Sequence, residues 1–251
     1  MSERWALKLS VDKLERIAER TGVTEVHGPD GGPSRRIISA LDGSECGESR
    51  VFVGDGVVKK VVYHGITVEK IGLDSHMIFA FTDEGSLVPH WTFDSVVAGG
   101  IYAFHLDLIP RLDLGANLAY MDGIYGKVTP AYEAGLQHPG LSQAAIGPRQ
   151  RAIMSPWMLA YRVEEEHYPA IDTHVQAYLD QWFAMVDGDL PPELVQDADP
   201  AFLAQRDAAN RGMIFNRDVD EVWNQITPLL GMEQCEALRL ELVDNSAPVP
   251  A

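Results

Sequence analysis

Cysteine is nearly absent from this 251-residue chain, with Cys46 and Cys235 its only two. Neither lies in a CxxC pair or a ligand-like cluster, which excludes a disulfide framework and a thiolate metal site. Long apolar runs are also missing. The longest, 77–81 and the interrupted 96–104, fall well short of the roughly 20 residues that a membrane helix needs. The start, Met-Ser-Glu-Arg-Trp, runs straight into a charged helical pattern without an apolar leader. The expectation is a cytoplasmic protein with no membrane partner. Basic residues are scarce: 20 Lys and Arg stand against 37 Asp and Glu, a formal charge of −17. Such a surface repels nucleic acid and anionic lipid, so no nucleic-acid partner is expected.

The familiar cofactor and catalytic signatures are missing too. No GxGxxG follows a strand, and there is no GxxxxGK[ST], HExxH or GxSxG. The eight histidines are scattered, none at helical ligand spacing. No bound cofactor and no metal are therefore expected, and any redox chemistry must draw its electrons from outside the chain.

What is present suits one globular domain spanning 1–251, since 46% of the residues are hydrophobic and 23% charged. A short polar tail, 245–251, is expected to be flexible. Ser10 can cap a helix running to about Arg20 and ended by Gly22. Strand signals then follow at 36–41, 51–53, 57–63, 67–71, 76–81, 90–97 and 102–109. The turns between them carry Gly43, Gly47, Gly56, Gly65, Gly85 and Gly99-Gly100. After Pro110 the pattern turns helical, at 114–121, 130–137 and 141–150. One more strand at 152–163 precedes helices at 168–186, 201–211, 218–230 and 232–243. Helices before and after a meander predict an α/β fold, a three-layer α/β/α sandwich with a central antiparallel sheet flanked by helices.

The block 76–115 carries the chemistry. A two-residue hairpin at Gly99-Gly100 pairs Ala98 with Ile101, which sets Asp94 opposite His105 and Thr92 opposite Asp107. A turn centred near Gly85 would place His76 opposite Asp94, and a turn within 72–75 would bring Glu69 near His76. One polar row, Glu69, His76, Asp94 and His105, then crosses four strands. Carboxylates and imidazoles set into an apolar face have shifted pKa values and can exchange protons near neutral pH. Asp107 reads as a structural acid paired with backbone or Arg111. For His76 and His105 a structural role stands beside the functional one.

The order of these features resembles the ferredoxin-dependent bilin reductase and red chlorophyll catabolite reductase family. The matching pieces are a strand with Glu69, a strand with His76, Pro89-His90-Trp91-Thr92-Phe93-Asp94, Leu106-Asp107-Leu108-Ile109-Pro110 and Ser155-Pro156. Gln205-Arg206-Asp207, Arg211, Asp218-Val219-Asp220 and Leu229-Leu230-Gly231 add the C-terminal third, so the resemblance covers roughly 60–243. It departs where the bilin reductases' F-G is Trp91-Thr92 here.

The resemblance implies a linear tetrapyrrole substrate, a bilin or chlorophyll catabolite, folded between the sheet and the C-terminal helices. Reduced ferredoxin, or a similar small redox protein, would supply single electrons, and the chain would supply protons. Glu69 and Asp94 would be the donors, His76 would assist, and Asp207 (with Asp218 and Asp220 as alternatives) would close the pocket from the helical side. His105, Ser155, Arg111, Arg151 or Arg162 would hold the substrate. An acidic ferredoxin needs a basic patch, for which Arg35-Arg36, Lys59-Lys60 and the pair Arg149 and Arg151 are candidates. Two other readings stand beside this one: a same-fold reductase of another conjugated compound, and a non-catalytic carrier.

Overall fold

The computed structural model describes residues 4–144, 146–196 and 198–244, so the expected tail lies outside the described residues. Its centre is one antiparallel sheet. The strands are β1 (Thr24–Val26), β2 (Arg35–Ile38), β3 (Glu45–Val53), β4 (Val58–Val68), β5 (Leu73–Thr82), β6 (His90–Ala98), β7 (Ile101–Ile109), β8 (Leu141–Gln143) and β9 (Leu159–Val163). They lie in the order β1-β3-β4-β5-β6-β7-β9-β8, and β2 also pairs with β3. The helices are α1 (Trp5–Thr21), α2 (Leu118–Tyr120), α3 (Gly126–Leu136), α4 (Pro148–Ile153), α5 (Asp172–Val186), α6 (Pro192–Gln196), α7 (Pro200–Ile214), α8 (Val222–Leu230) and α9 (Met232–Val243).

Alternation along the strands builds a separate core on each face. Tyr63, Ile78, Ala80, Phe93 and Leu106 pack against Leu9, Leu14 and Ile17 of α1 and Trp182 of α5. Val62, Phe79, Phe81 and Ile109 face the other way, against Ile214 and Phe215 at the end of α7, Trp223 of α8 and Leu242 of α9. The three-layer α/β/α sandwich is therefore the observed fold.

Several local expectations change, among them Gly47, expected in a turn and found within β3. Helix α1 begins at Trp5 because Ala6 and Leu9 extend the buried face of Leu14 and Ile17; Ser10 is buried inside the helix and caps nothing. The strands expected at 57–63 and 67–71 are one strand, β4, and Gly65 is no turn. Glycine is needed there for space, since a Cβ on Gly65 would stand 2.3 Å from the Tyr63 hydroxyl. The expected helix 141–150 is instead the edge strand β8 followed by α4, and the expected strand 152–163 shortens to β9. Finally, the 83–89 connection is centred half a residue later than Gly85. Ser95, not Asp94, lies opposite His76.

Gly47 on β3 presses against the neighbouring strand, and a Cβ there would lie 2.0 Å from the Gly65 carbonyl oxygen. Backbone cannot yield as a side chain can. Gly47→Ala is therefore expected to cost about 2 kcal/mol or more by overpacking, read as a lower midpoint in urea denaturation.

Candidate active site

The β6–β7 hairpin positions the first pair of groups. Gly99 and Gly100 both adopt positive φ, 57° and 80°, the geometry of a tight two-residue turn. Asp94 consequently stands opposite His105, and Thr92 opposite Asp107. His105 Nδ1 is 3.2 Å from Asp94 Oδ2. On the β5 side, the half-residue shift puts Met77 beside Asp94. Beyond Met77 the register continues to His64 on β4 and Ser49 on β3.

The polar row is thus Ser49, His64, Asp94 and His105, interrupted by Met77. Its β3–β4 half is occupied by α9: Glu241 accepts from the Ser49 hydroxyl at 2.6 Å and from Arg35 Nε at 3.0 Å, and lies 3.2 Å from His64 Nε2. His76 points to the opposite face of the sheet. There it is buried between the Tyr63 hydroxyl, 2.8 Å from Nδ1, and Asp74, 3.0 Å from Nε2. Glu69 sits in an exposed 3₁₀ turn, Glu69–Ile71, after β4. The structure therefore brings Asp94 and His105 together and leaves Glu69 and His76 apart from them.

Above Asp94 and His105 lies a cavity of about 290 Å³. Met77, Phe79 and Met158 form its apolar floor with the two polar groups; Ile153 of α4 and Met154 just after it, and Ile214, Phe215 and Asp220 from the α7–α8 side, cover it. Asp94 Oδ1 and His105 Nε2 are buried and have no hydrogen-bond partner among the described residues. Burial lowers the His105 pKa, but the hydrogen bond and charge of Asp94 reverse that and raise it. Burial pushes Asp220 up to about 6, opposed by the Val222 N–H and reinforced by the negative charge of Asp94. Gln150 Nε2 of α4 reaches Asp220 Oδ1 at 3.4 Å across the cavity mouth. The site thus places two carboxyl groups and an imidazole against one apolar space.

The remaining candidates have other duties. Asp107 is fully buried; it accepts from the Ser155 N–H and the Leu108 N–H, both at 2.9 Å, and from the Ser155 hydroxyl. Burial still pushes it up to about 6. Asp107 is thus held by backbone and by Ser155 rather than by Arg111, and Ser155 does not line the cavity. Asp207 on α7 is sealed in a buried cluster with His90, Arg111 and Arg211. His90 Nδ1 accepts the Thr82 N–H at 3.0 Å, so its Nε2 carries the proton and donates to Asp207 Oδ1 at 2.6 Å. Burial and the Arg111 charge depress His90 to about 3. The desolvation of Asp207 is outweighed by His90 and the two guanidinium groups, which hold its pKa well below the usual carboxylate range. Arg111 also donates to the carbonyl of Glu84 at 2.8 Å, and Arg211 lies 3.7 Å over the Phe81 ring. Asp207 and Arg111 therefore join α7 to the sheet and do not line the cavity. Arg151 is exposed on α4.

Asp220 was only an alternative in sequence; nothing in its local pattern separates it from Asp207. One other ligating group exists among the described residues: Glu164, Glu166 and His167, exposed ahead of α5, could offer metal-ligand atoms within 4.8 Å of one another. They take no part in the cavity.

This arrangement defines a class, an α/β/α sandwich with an acid-lined pocket between its antiparallel sheet and C-terminal helices. Among solved structures, 35 chains match it. One is phytochromobilin synthase from tomato, solved in complex with biliverdin: the TM-score is 0.69 over 96% of this chain and 85% of that one, at 14% sequence identity. The likeness is one of fold. No family model matches the chain, and no curated protein does.

Removing the carboxylate of the buried cluster would strand two guanidinium groups. Asp207→Ala is expected to lose about 3–5 kcal/mol of stability, measured by urea denaturation followed by circular dichroism.

Proposed function

We propose that this chain reduces a conjugated double bond of a linear tetrapyrrole, a bilin or chlorophyll catabolite, using electrons from ferredoxin or a similar small redox protein. The observation that carries the reading is the Asp94–His105 pair, which lines an apolar cavity that Asp220 also lines and which keeps Asp94 Oδ1 and His105 Nε2 buried without partners among the described residues. The fold shared with a biliverdin-bound protein supports the choice of substrate class.

Saturating one double bond takes two electrons and two protons. Ferredoxin delivers electrons singly, so the bound pigment passes through a radical while the chain supplies protons. Protonated His105 can donate from Nε2 while Nδ1 stays bonded to Asp94, whose charge stabilises the imidazolium. Asp220, protonated up to about pH 6, is the second donor. The apolar floor keeps water from the radical, and the chemistry of electron storage belongs to the pigment. Glu69 and His76 have no part in this scheme.

The cavity size favours a second reading. At about 290 Å³ it lies at the lower end of ligand pockets, roughly 300–1,000 Å³. A tetrapyrrole would have to push the α4 side outward, whereas a smaller conjugated compound would fit as the cavity stands.

The test is anaerobic mixing with biliverdin and, separately, red chlorophyll catabolite, before and after adding ferredoxin, its reductase and NADPH. A spectral shift on binding and protein-dependent bleaching are expected. Binding without turnover by any donor would instead make the chain a carrier, and no binding to either pigment would leave the smaller-substrate reading. Asp94→Asn is expected to keep pigment affinity and lose turnover by about 10²-fold. An acid donates only while protonated, so turnover should be level at low pH and fall as pH rises through about 6. Asp220→Asn should remove that limb of the profile.

A further inference from the structure

Asp107 and Asp207 are the two carboxylates buried outright among the described residues, and their surroundings differ. Asp207 meets the guanidinium groups of Arg111 and Arg211. Asp107 meets only neutral donors, the N–H and hydroxyl of Ser155 and the N–H of Leu108. A buried charge without a counter-charge is costly. The ionisation of Asp107 therefore depends on the nearest group able to carry a positive charge.

That group is His105. The two residues are two apart on β7, so they share the cavity face and stand about 7 Å apart along the strand. The charges that act on the His105 ring come from Asp94 across the hairpin, Asp107 on its own strand and Asp220 ahead of α8. β9 and α4 present only the uncharged Ala160, Gln150 and Ile153, and among the described residues no lysine or arginine lines the cavity. Burial works against the charged ring, and the carboxyl groups outweigh it. At Asp107 the influence is mutual: burial drives its pKa up, and the charge of His105 is the largest influence opposing that rise. His90 supplies the contrast. It too is bonded to a carboxylate on this face, yet burial and the charge of Arg111 keep it neutral. One carboxylate partner does not charge a histidine here; the further charges around it decide.

We propose that Asp107 is a positioning residue for proton delivery: its buried charge, together with that of Asp94, holds the His105 ring as an imidazolium beside the cavity. The inference rests on the reductase reading above, in which His105 donates from Nε2. Asp107 itself does not line the cavity and acts only through His105.

The test is a pH titration of the His105 ring by ¹⁵N NMR, without pigment, in the unaltered protein, Asp107→Asn and Thr92→Val. Unit charges about 7 Å apart at an effective dielectric of about 20 interact strongly enough to move a pKa by about one pH unit or more. Asp107→Asn should lower the His105 pKa by that amount, with the Nδ1 proton still directed at Asp94. Thr92 lies opposite Asp107 and its buried hydroxyl has no partner among the described residues, so Thr92→Val alters the same place without touching a charge and should leave the titration where it was. Coupling is reciprocal: His105→Gln should raise the pKa of the Asp107 carboxyl, followed by ¹³C NMR, by a matching amount. That reading needs no Asp107 variant and stands even where Asp107→Asn does not fold. Dithionite-driven turnover of biliverdin by Asp107→Asn should fall at neutral pH and recover on acidification, as the ring recharges. An unmoved His105 in Asp107→Asn, an equal shift in Thr92→Val, or an Asp107 carboxyl indifferent to His105→Gln would each overturn the proposal. Turnover lost equally at every pH would also overturn it, leaving Asp107 a packing role alone. Absence of turnover by the unaltered protein with every reductant would sink the reductase reading by itself, because the titrations are read without pigment.

Discussion

The pairing of β6 with β7 is the constraint on which the site depends. Two successive glycines in the left-handed region leave the hairpin one register, and that register brings a carboxylate and an imidazole face to face in an otherwise apolar sheet. Slipping it by one residue would turn Asp94 and His105 into the opposite core, against α1 and α5, where nothing could receive their charge. The apolar residues that precede them, Phe93 and Phe104, enforce the same choice by filling that opposite core.

The polar groups of the cavity side fall into two kinds. Those that build the fold are satisfied: Glu241 gathers Arg35, Ser49 and His64; Asp107 gathers Ser155 and Leu108; Asp207 gathers His90, Arg111 and Arg211. Together they pin α7, α9 and the segment before β9 to the sheet, and so fix the walls of the pocket. Those that line the cavity, Asp94 and His105, keep Oδ1 and Nε2 buried without a partner among the described residues. Leaving buried polar atoms unsatisfied costs stability, and that cost makes the pair a candidate functional site.

Much of this was legible in the residues. The antiparallel meander between helical segments predicts the sandwich, and Gly99-Gly100 predicts the Asp94–His105 pairing directly. What failed was register across longer connections. The seven-residue link 83–89 leaves its centre undetermined to within half a residue, and that half residue moves His76 to the other face. Gly65 has the look of a turn residue, yet it is a strand residue kept small by the Tyr63 hydroxyl, a reason visible only in three dimensions. Reading β4 as two strands in turn hid His64 and Ser49 from the row. The choice among Asp207, Asp218 and Asp220 was equally closed to sequence, because burial among arginines and exposure to a cavity are tertiary facts.

The most direct test of the account is ¹⁵N NMR of the His105 ring, titrated with pH with and without biliverdin, in the unaltered protein and in Asp94→Asn. The account predicts a proton held on Nδ1 toward Asp94, a pKa above the ordinary histidine value that falls in the variant, and an Nε2 resonance that shifts when the pigment binds. A His105 that titrates below the ordinary value, or an Nε2 indifferent to bound pigment, would contradict it.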